Sequence, residues 1–188
     1  MAYGQPWNTT KCDAPEMKIN SGPVVRTKHG TYKLNLADDH REVLTHLVTQ
    51  LRDSLLTTTD AAALRRLFPT AYHDDPKKDA EYQRLMRDEL LASRLSSIEI
   101  ALAVISRRDE LNESEIDAFA RSINSLRLVL GTALDIAESD YDNDSAYQSD
   151  NLSDSKNQPD NSELIQRELY DYLGWLLEWT VGAQSESL

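Results

Sequence analysis

With one cysteine in 188 residues, Cys12, the chain can close no internal disulfide and can offer no CxxC pair to a metal. Six glycines and six prolines are few for a fold built from many tight turns, so helices are favoured over a many-stranded sheet. No apolar run approaches the roughly 18 residues of a membrane span. The opening MAYGQPWNTTK lacks a basic start followed by an apolar core, so no signal peptide is expected. GxSxG, GxGxxG, GKS/T and HExxH are all missing. These gaps point to a cytoplasmic, non-enzymatic chain without cofactor or metal.

Basic residues are also in short supply. Twenty Lys and Arg face 32 Asp and Glu, for a net charge of −12. Nucleic-acid affinity rests on clustered cations that neutralise phosphates, so the overall sign disfavours it. Much of the excess is local: between Glu138 and Glu163 stand eight acidic residues and one lysine, Lys156. Asp, Ser and Asn dominate 138–161, and no period is visible there. Such a composition cannot offset the entropy of ordering, so the segment reads as a disordered acidic linker.

What is present is helical periodicity. The expected organisation is a flexible tail over 1–16 and one helical domain over 17–188, interrupted by that linker. The fold class is mainly α: a bundle of about five helices with a small N-terminal β-hairpin. Tyr32, Leu34 and Leu36 alternate with polar residues, the mark of a half-buried strand. Lys28-His29-Gly30 supplies a turn, Val24–Thr27 the partner strand, and Met17–Ile19 a further extended piece. Asp38 or Asp39 caps a helix to about Leu56, with Val43, Leu44, Leu47, Val48, Leu51 and Leu55 on one face. Asp60 caps a short helix, AAALRRLF, stopped by Pro69. Asp75-Pro76 opens a long one to Ser106, whose buried side is read as Tyr82, Leu85, Met86, Leu90, Ile98, Leu102 and Ile105, with a bend near Ser96-Ser97. Asn112 with Glu115 resembles a capping box for a helix to about Ile136 that buries Ile116, Phe119, Ile123, Leu126, Leu130 and Leu134.

The last helix, Ser162 to about Val181, is the most apolar stretch. Ile165, Leu169, Tyr172, Leu173, Leu176 and Trp179 share one face, Leu177, Tyr170 and Val181 widen it, and Arg167, Asp171, Gly174 and Glu178 form a narrow polar strip. A helix apolar over so much of its girth is expected to be enclosed, docked between the two long helices. Trp175, beside the strip, is the candidate interaction residue there. Trp7 in the tail is the other, since it has no packing partner in sequence.

The polar candidates are weaker signals. Asp140, Asp142 and Asp144 begin like a calcium loop, but Ser145 and Asn151 stand where glycine and glutamate are needed, so a solvated linker is the better reading. His29, His40, His46 and His73 make no metal pair. Arg127 interrupts an apolar run at the edge of a buried stripe and needs a carboxylate or carbonyls. Its expected partners are Asp88, Glu89 or Asp171; with Asn124 and Arg84 these form a candidate polar core or anion site. Arg26, Lys28, Arg65, Arg66, Lys77, Lys78, Arg107 and Arg108 would make a DNA-facing patch only if the fold gathered them. A DNA-binding regulator is therefore the alternative to a protein-interaction role.

Four motifs in order, LFPTAYHDDP, LLASRL, SLRLVLGTALDI and LYDYLGWLLEW, carry a family resemblance. They resemble an uncharacterised actinobacterial domain-of-unknown-function family encoded beside the ClpS-type protease adaptor gene. The likeness covers about Val24 to Val181 without the linker. Tyr172 stands where the family usually has Trp, and Ala133 where it usually has Arg. The resemblance implies a cytoplasmic helical protein, linked to Clp-dependent proteolysis through its gene neighbour. Some members are labelled transcriptional regulators.

Overall fold

The computed structural model describes residues 22–57, 62–136 and 161–185. Strands β1 (Val24–Arg26) and β2 (Tyr32–Leu34) pair antiparallel, with Val24 opposite Leu34 and Arg26 opposite Tyr32. Gly30, at φ +79°, takes the left-handed turn position that a side chain would strain. The ribbon does not stand alone. Tyr32 and Leu111 exchange two backbone hydrogen bonds of 2.8 Å, and Val24, Tyr32, Leu34 and Leu36 point into the core.

Four helices follow: α1 (Asp38–Thr57), α2 (Pro76–Ser106), α3 (Glu113–Ala133) and α4 (Asn161–Ser185). The expected fifth does not form. AAALRRLF yields turns over 62–67, where Leu67 N–H reaches only the Leu64 carbonyl, three residues back. Eight residues ahead of a proline cannot repay helix nucleation, yet Leu64 and Leu67 are buried without it. The Asp75 side chain accepts from Lys78 N–H with Pro76 in the first turn, as its signature implied. The long helix runs on through Ser96 and Ser97.

α3 is the hub, packing on α2, α4 and α1. The Asn112–Glu115 capping box at its start is complete in both directions. Arg107, which ends α2, meets Glu115 at 2.8 Å and Asp109 at 2.9 Å. Hydrogen bonding to Arg107, then to the Asn112 N–H, holds the Glu115 carboxyl below the usual carboxylate range. A depressed folded pKa gives stability that is present above the unfolded value and is lost as pH falls through the folded one. Urea midpoints should therefore drop between pH 6 and pH 3, and Glu115→Gln should shrink that drop. An identical drop in both proteins would exclude this contribution. Asn112→Ala, which removes the cap itself, should cost about 1 kcal/mol at either pH.

Several expectations about helix faces are corrected. Val43, expected on the inner face of α1, and Val181, expected to widen that of α4, are both exposed. The amino-terminal half of α2 stands clear of the core: Leu85 is 60% exposed, and the buried residues run from Ser97 to Ile105. α4 packs on α3 and on β1, not between the two long helices. Its first turns project past these partners, so Ile165, expected inside, is 57% exposed, together with Leu164. The enclosed part is Tyr170, Leu173, Leu176, Thr180 and Ala183. The tail over 1–16, the extended piece at 17–19, Asp60, Cys12, Trp7 and the linker to residue 160 lie outside the described residues.

Candidate functional site

α4 carries an aromatic ladder along the margin of its buried face. Tyr172, Trp175 and Trp179 follow at helical spacing, with ring centroids 5.9 and 6.4 Å apart. His40, in the first turn of α1, extends the row by meeting Tyr172 edge-on at 5.2 Å. Tyr172 and Trp179 are half-buried against the core, whereas Trp175 is 44% exposed. The Tyr172 hydroxyl and the Trp179 indole N–H are buried and have no hydrogen-bond partner among the described residues. Burial, and then the nearby Asp39 charge, pushes the Tyr172 hydroxyl pKa up, so it stays a neutral donor. Asp39, Asp171 and Glu178 are exposed around the row, which gives it an acidic border.

Gly22 sits on this ladder. A Cβ there would lie 2.2 Å from the Trp179 ring, so only glycine lets the chain leading into β1 cross the indole. Asn35 ties that crossing down, donating to the Gly22 carbonyl at 3.2 Å.

The polar candidates are distributed over two helix seams. Arg127 lies at the α3–α4 seam, its guanidinium 4.5 Å from the centre of the Tyr170 ring. Gly174 makes room for it, since a Cβ there would be 3.2 Å from the Arg127 Nε. Asn124 instead lines a cleft between α2 and α3. Arg84, Asp88 and Glu89 are exposed on the projecting half of α2, and Asp171 is exposed on α4.

Sequence reasoning sets Arg94, with Arg84, Arg87, Asp88 and Glu89, only among the polar residues around the apolar positions of its helix, yet it proves the more telling cation. It is half-buried between α2 and α3, donating to the Ser125 Oγ at 3.2 Å and the Leu67 carbonyl at 2.6 Å. Burial alone lowers its pKa. The signal was available: Arg94 stands four residues after Leu90 and four before Ile98, on the buried stripe itself.

Two clefts of about 200 Å³ open on the surface. One, between α1, α3 and α4, is lined by Leu47, Leu51, Leu126, Leu130, Leu169 and Leu173. The other holds Arg94, Arg121, Asn124 and three serines. No histidine or carboxylate lines either cleft, and Arg127 lines neither. Among the described residues no group of three or more His, Cys, Asp or Glu could hold a metal ion. Nor is any described helix long and apolar enough to cross a membrane.

Two of the basic doublets are far apart. Lys77-Lys78 and Arg107-Arg108 stand at opposite ends of the 31-residue α2, about 45 Å apart at 1.5 Å per residue. Arg65, Lys78, Arg107 and Arg108 each pair with an acidic side chain.

A family described as a domain of unknown function, DUF2017, matches residues 21–184. The chain belongs to the DUF2017 family. The match takes in every described element, so the hairpin, the hub helix and the aromatic ladder all fall within the DUF2017 domain. No curated protein and no solved structure matches the chain.

Proposed function

We propose that this DUF2017 chain is a non-enzymatic interaction protein of the bacterial cytoplasm with a regulatory role. Its docking surface is the ladder of Tyr172, Trp175 and Trp179 beside His40. The observation that carries the reading is Trp175. A large amphipathic ring left 44% exposed between two partly buried aromatics is the residue type and setting of a binding hot spot. The occupant is a protein segment that combines apolar with Lys or Arg side chains. The apolar groups would cover the rings, and the cations would meet Asp39, Asp171 and Glu178. The net charge of −12 favours encounter with a basic segment over an acidic one. The resemblance to a family encoded beside a ClpS-type adaptor makes components of Clp-dependent proteolysis the first partners to examine. The DNA-binding reading has less behind it, because its doublets are spread along α2 and mostly engaged with carboxylates.

The test is a displayed-peptide selection with the purified chain, followed by titration of the enriched peptides and of a purified ClpS-type adaptor. Segments rich in basic and apolar residues should be enriched. Trp175→Ala should weaken their binding about 30-fold, the equivalent of about 2 kcal/mol, with thermal melting unchanged. Equal affinity for both proteins, or no enrichment of such segments, would overturn the proposal.

A further inference from the structure

The cleft between α2 and α3 contains more positive charge than its neighbours balance. Leu90, Ser93, Arg94 and Ser97 form one face of α2, at i, i+3, i+4 and i+7, and look across at Arg121, Asn124 and Ser125 of α3. Arg94 crosses the cleft to Ser125, and its other hydrogen bond goes to the Leu67 carbonyl. Both acceptors are neutral. Among the described residues no carboxylate lies within ion-pair distance of Arg94, and its Nε is buried without an acceptor. A guanidinium has five N–H donors, so three here are unassigned. The Phe68 ring lies 5.8 Å away, with Arg87 closer to it at 4.5 Å, and compensates only weakly.

The second cation, Arg121, stands at the rim with its side chain 63% exposed. It meets Asp117 at 2.7 Å. Of the two arginines only Arg121 has a carboxylate partner, in a molecule whose net charge is −12. The Ser93 hydroxyl and the Asn124 amide, both lining the cleft, make no hydrogen bond to the described residues. The Ser97 hydroxyl is committed to the Ser93 carbonyl at 3.1 Å.

We propose that this cleft binds a small oxyanion of the phosphate or phosphate-monoester class, held between Arg94 and Arg121 with Ser93 and Asn124 as neutral donors. A planar guanidinium with spare N–H groups matches two oxygens of a phosphate, and hydroxyl and amide donors suit the rest. A volume near 200 Å³ is below the range of about 300–1,000 Å³ typical of drug-sized organic ligands. The cleft therefore fits an ion or a small phosphorylated group better than a whole nucleotide. The lowered pKa of Arg94 agrees with a cation that burial has left short of counter-charge. The site uses α2 and α3 and is independent of the aromatic ladder on α4.

The purified full chain should be titrated with inorganic phosphate and with phosphoserine, each against sodium chloride at matched ionic strength. Amide chemical shifts and the melting temperature are the readouts. Saturable shifts at residues 90–97 and 121–125, with a melting temperature that rises with ligand and not with chloride, are expected. Tighter binding of phosphoserine would identify a monoester ligand, and equal binding of the two the inorganic ion; either supports the site. Arg121→Gln, at the exposed rim, should retain the fold and weaken binding at least tenfold. Arg94→Lys should weaken it as much, but it also disturbs the Leu67 contact, so Arg121→Gln is the deciding variant. A response equal to that of chloride, or one unchanged in Arg121→Gln, would overturn the proposal.

Discussion

Arg41→Met is expected to destabilise the fold by about 3–5 kcal/mol. Arg41 lies in the second turn of α1, is 9% exposed, and is hydrogen-bonded to backbone alone. Its Nη2 donates to the Leu34 carbonyl at 2.8 Å and its Nε to the Leu36 carbonyl at 3.2 Å. Its Nη1 reaches the carbonyls of Ile105 and Arg107, the latter at 2.8 Å. One side chain thus joins the end of the hairpin, the start of α1 and the end of α2. Burial, and secondarily the like charge of Arg108, lowers its pKa, while Asp38 acts the other way. Methionine keeps the apolar stem and removes every donor. Each buried acceptor left bare costs about 1–3 kcal/mol, less what entering water recovers. Arg41→Lys should cost less, because an ammonium still supplies charge and three donors, though not in a fork. Urea unfolding measures both. A loss under about 1 kcal/mol for Arg41→Met would show that this junction is held by packing alone.

Phe119→Ala should be comparably severe, at about 3–5 kcal/mol. Phe119 is the largest of the fully buried side chains and sits on α3, the helix that packs on all three others. Its removal opens a cavity that three rigid neighbours cannot all close. Leu85→Ala is the internal control. Helical periodicity puts Leu85 on a buried stripe, but it is 60% exposed, so its loss should stay within about 0.5 kcal/mol. Similar losses for the two variants in thermal and urea unfolding would contradict the placement of α2.

The contrast between these residues shows what kind of information the sequence holds. Ile116, Phe119, Ile123 and Leu126 repeat on α3 and are buried, whereas Leu130 and Leu134, which continue the stripe, are only half-buried. Leu85 and Ile165 obey the same periodicity without being buried. A period reports which side of a helix is apolar. It does not report whether another element reaches that turn. α2 and α4 both outrun their partners at their amino-terminal ends, so their first turns keep an apolar side in water.

The candidate sites divide in the same way. Trp175 was legible as a residue at the margin of an apolar face, and it lies exposed in an aromatic row. That the row begins on another helix, with His40, depends on where α1 crosses α4, and nothing local to HREV encodes it. Arg127 was legible as a cation beside a buried stripe. Its seat on Tyr170, and the role of Gly174 in admitting it, follow from the approach of α3 to α4. Arg94 and Arg121 lie 27 positions apart and meet only because α2 and α3 pack side by side.

By itself, then, the sequence determined what is local in origin: the hairpin with its glycine turn, the existence and starts of the four helices, and the caps at Asp75 and Asn112. Each depends on backbone geometry and on contacts within a few residues, which neighbouring side chains specify directly. Tertiary structure alone decided that α3 is the hub and that AAALRRLF stays a turn. It also decided that Arg41 closes three elements, that Trp175 faces solvent, and that two arginines share one cleft. Those outcomes depend on distances between segments far apart in the chain. They are set by how whole apolar faces divide among partners, a property that no single stretch of residues contains.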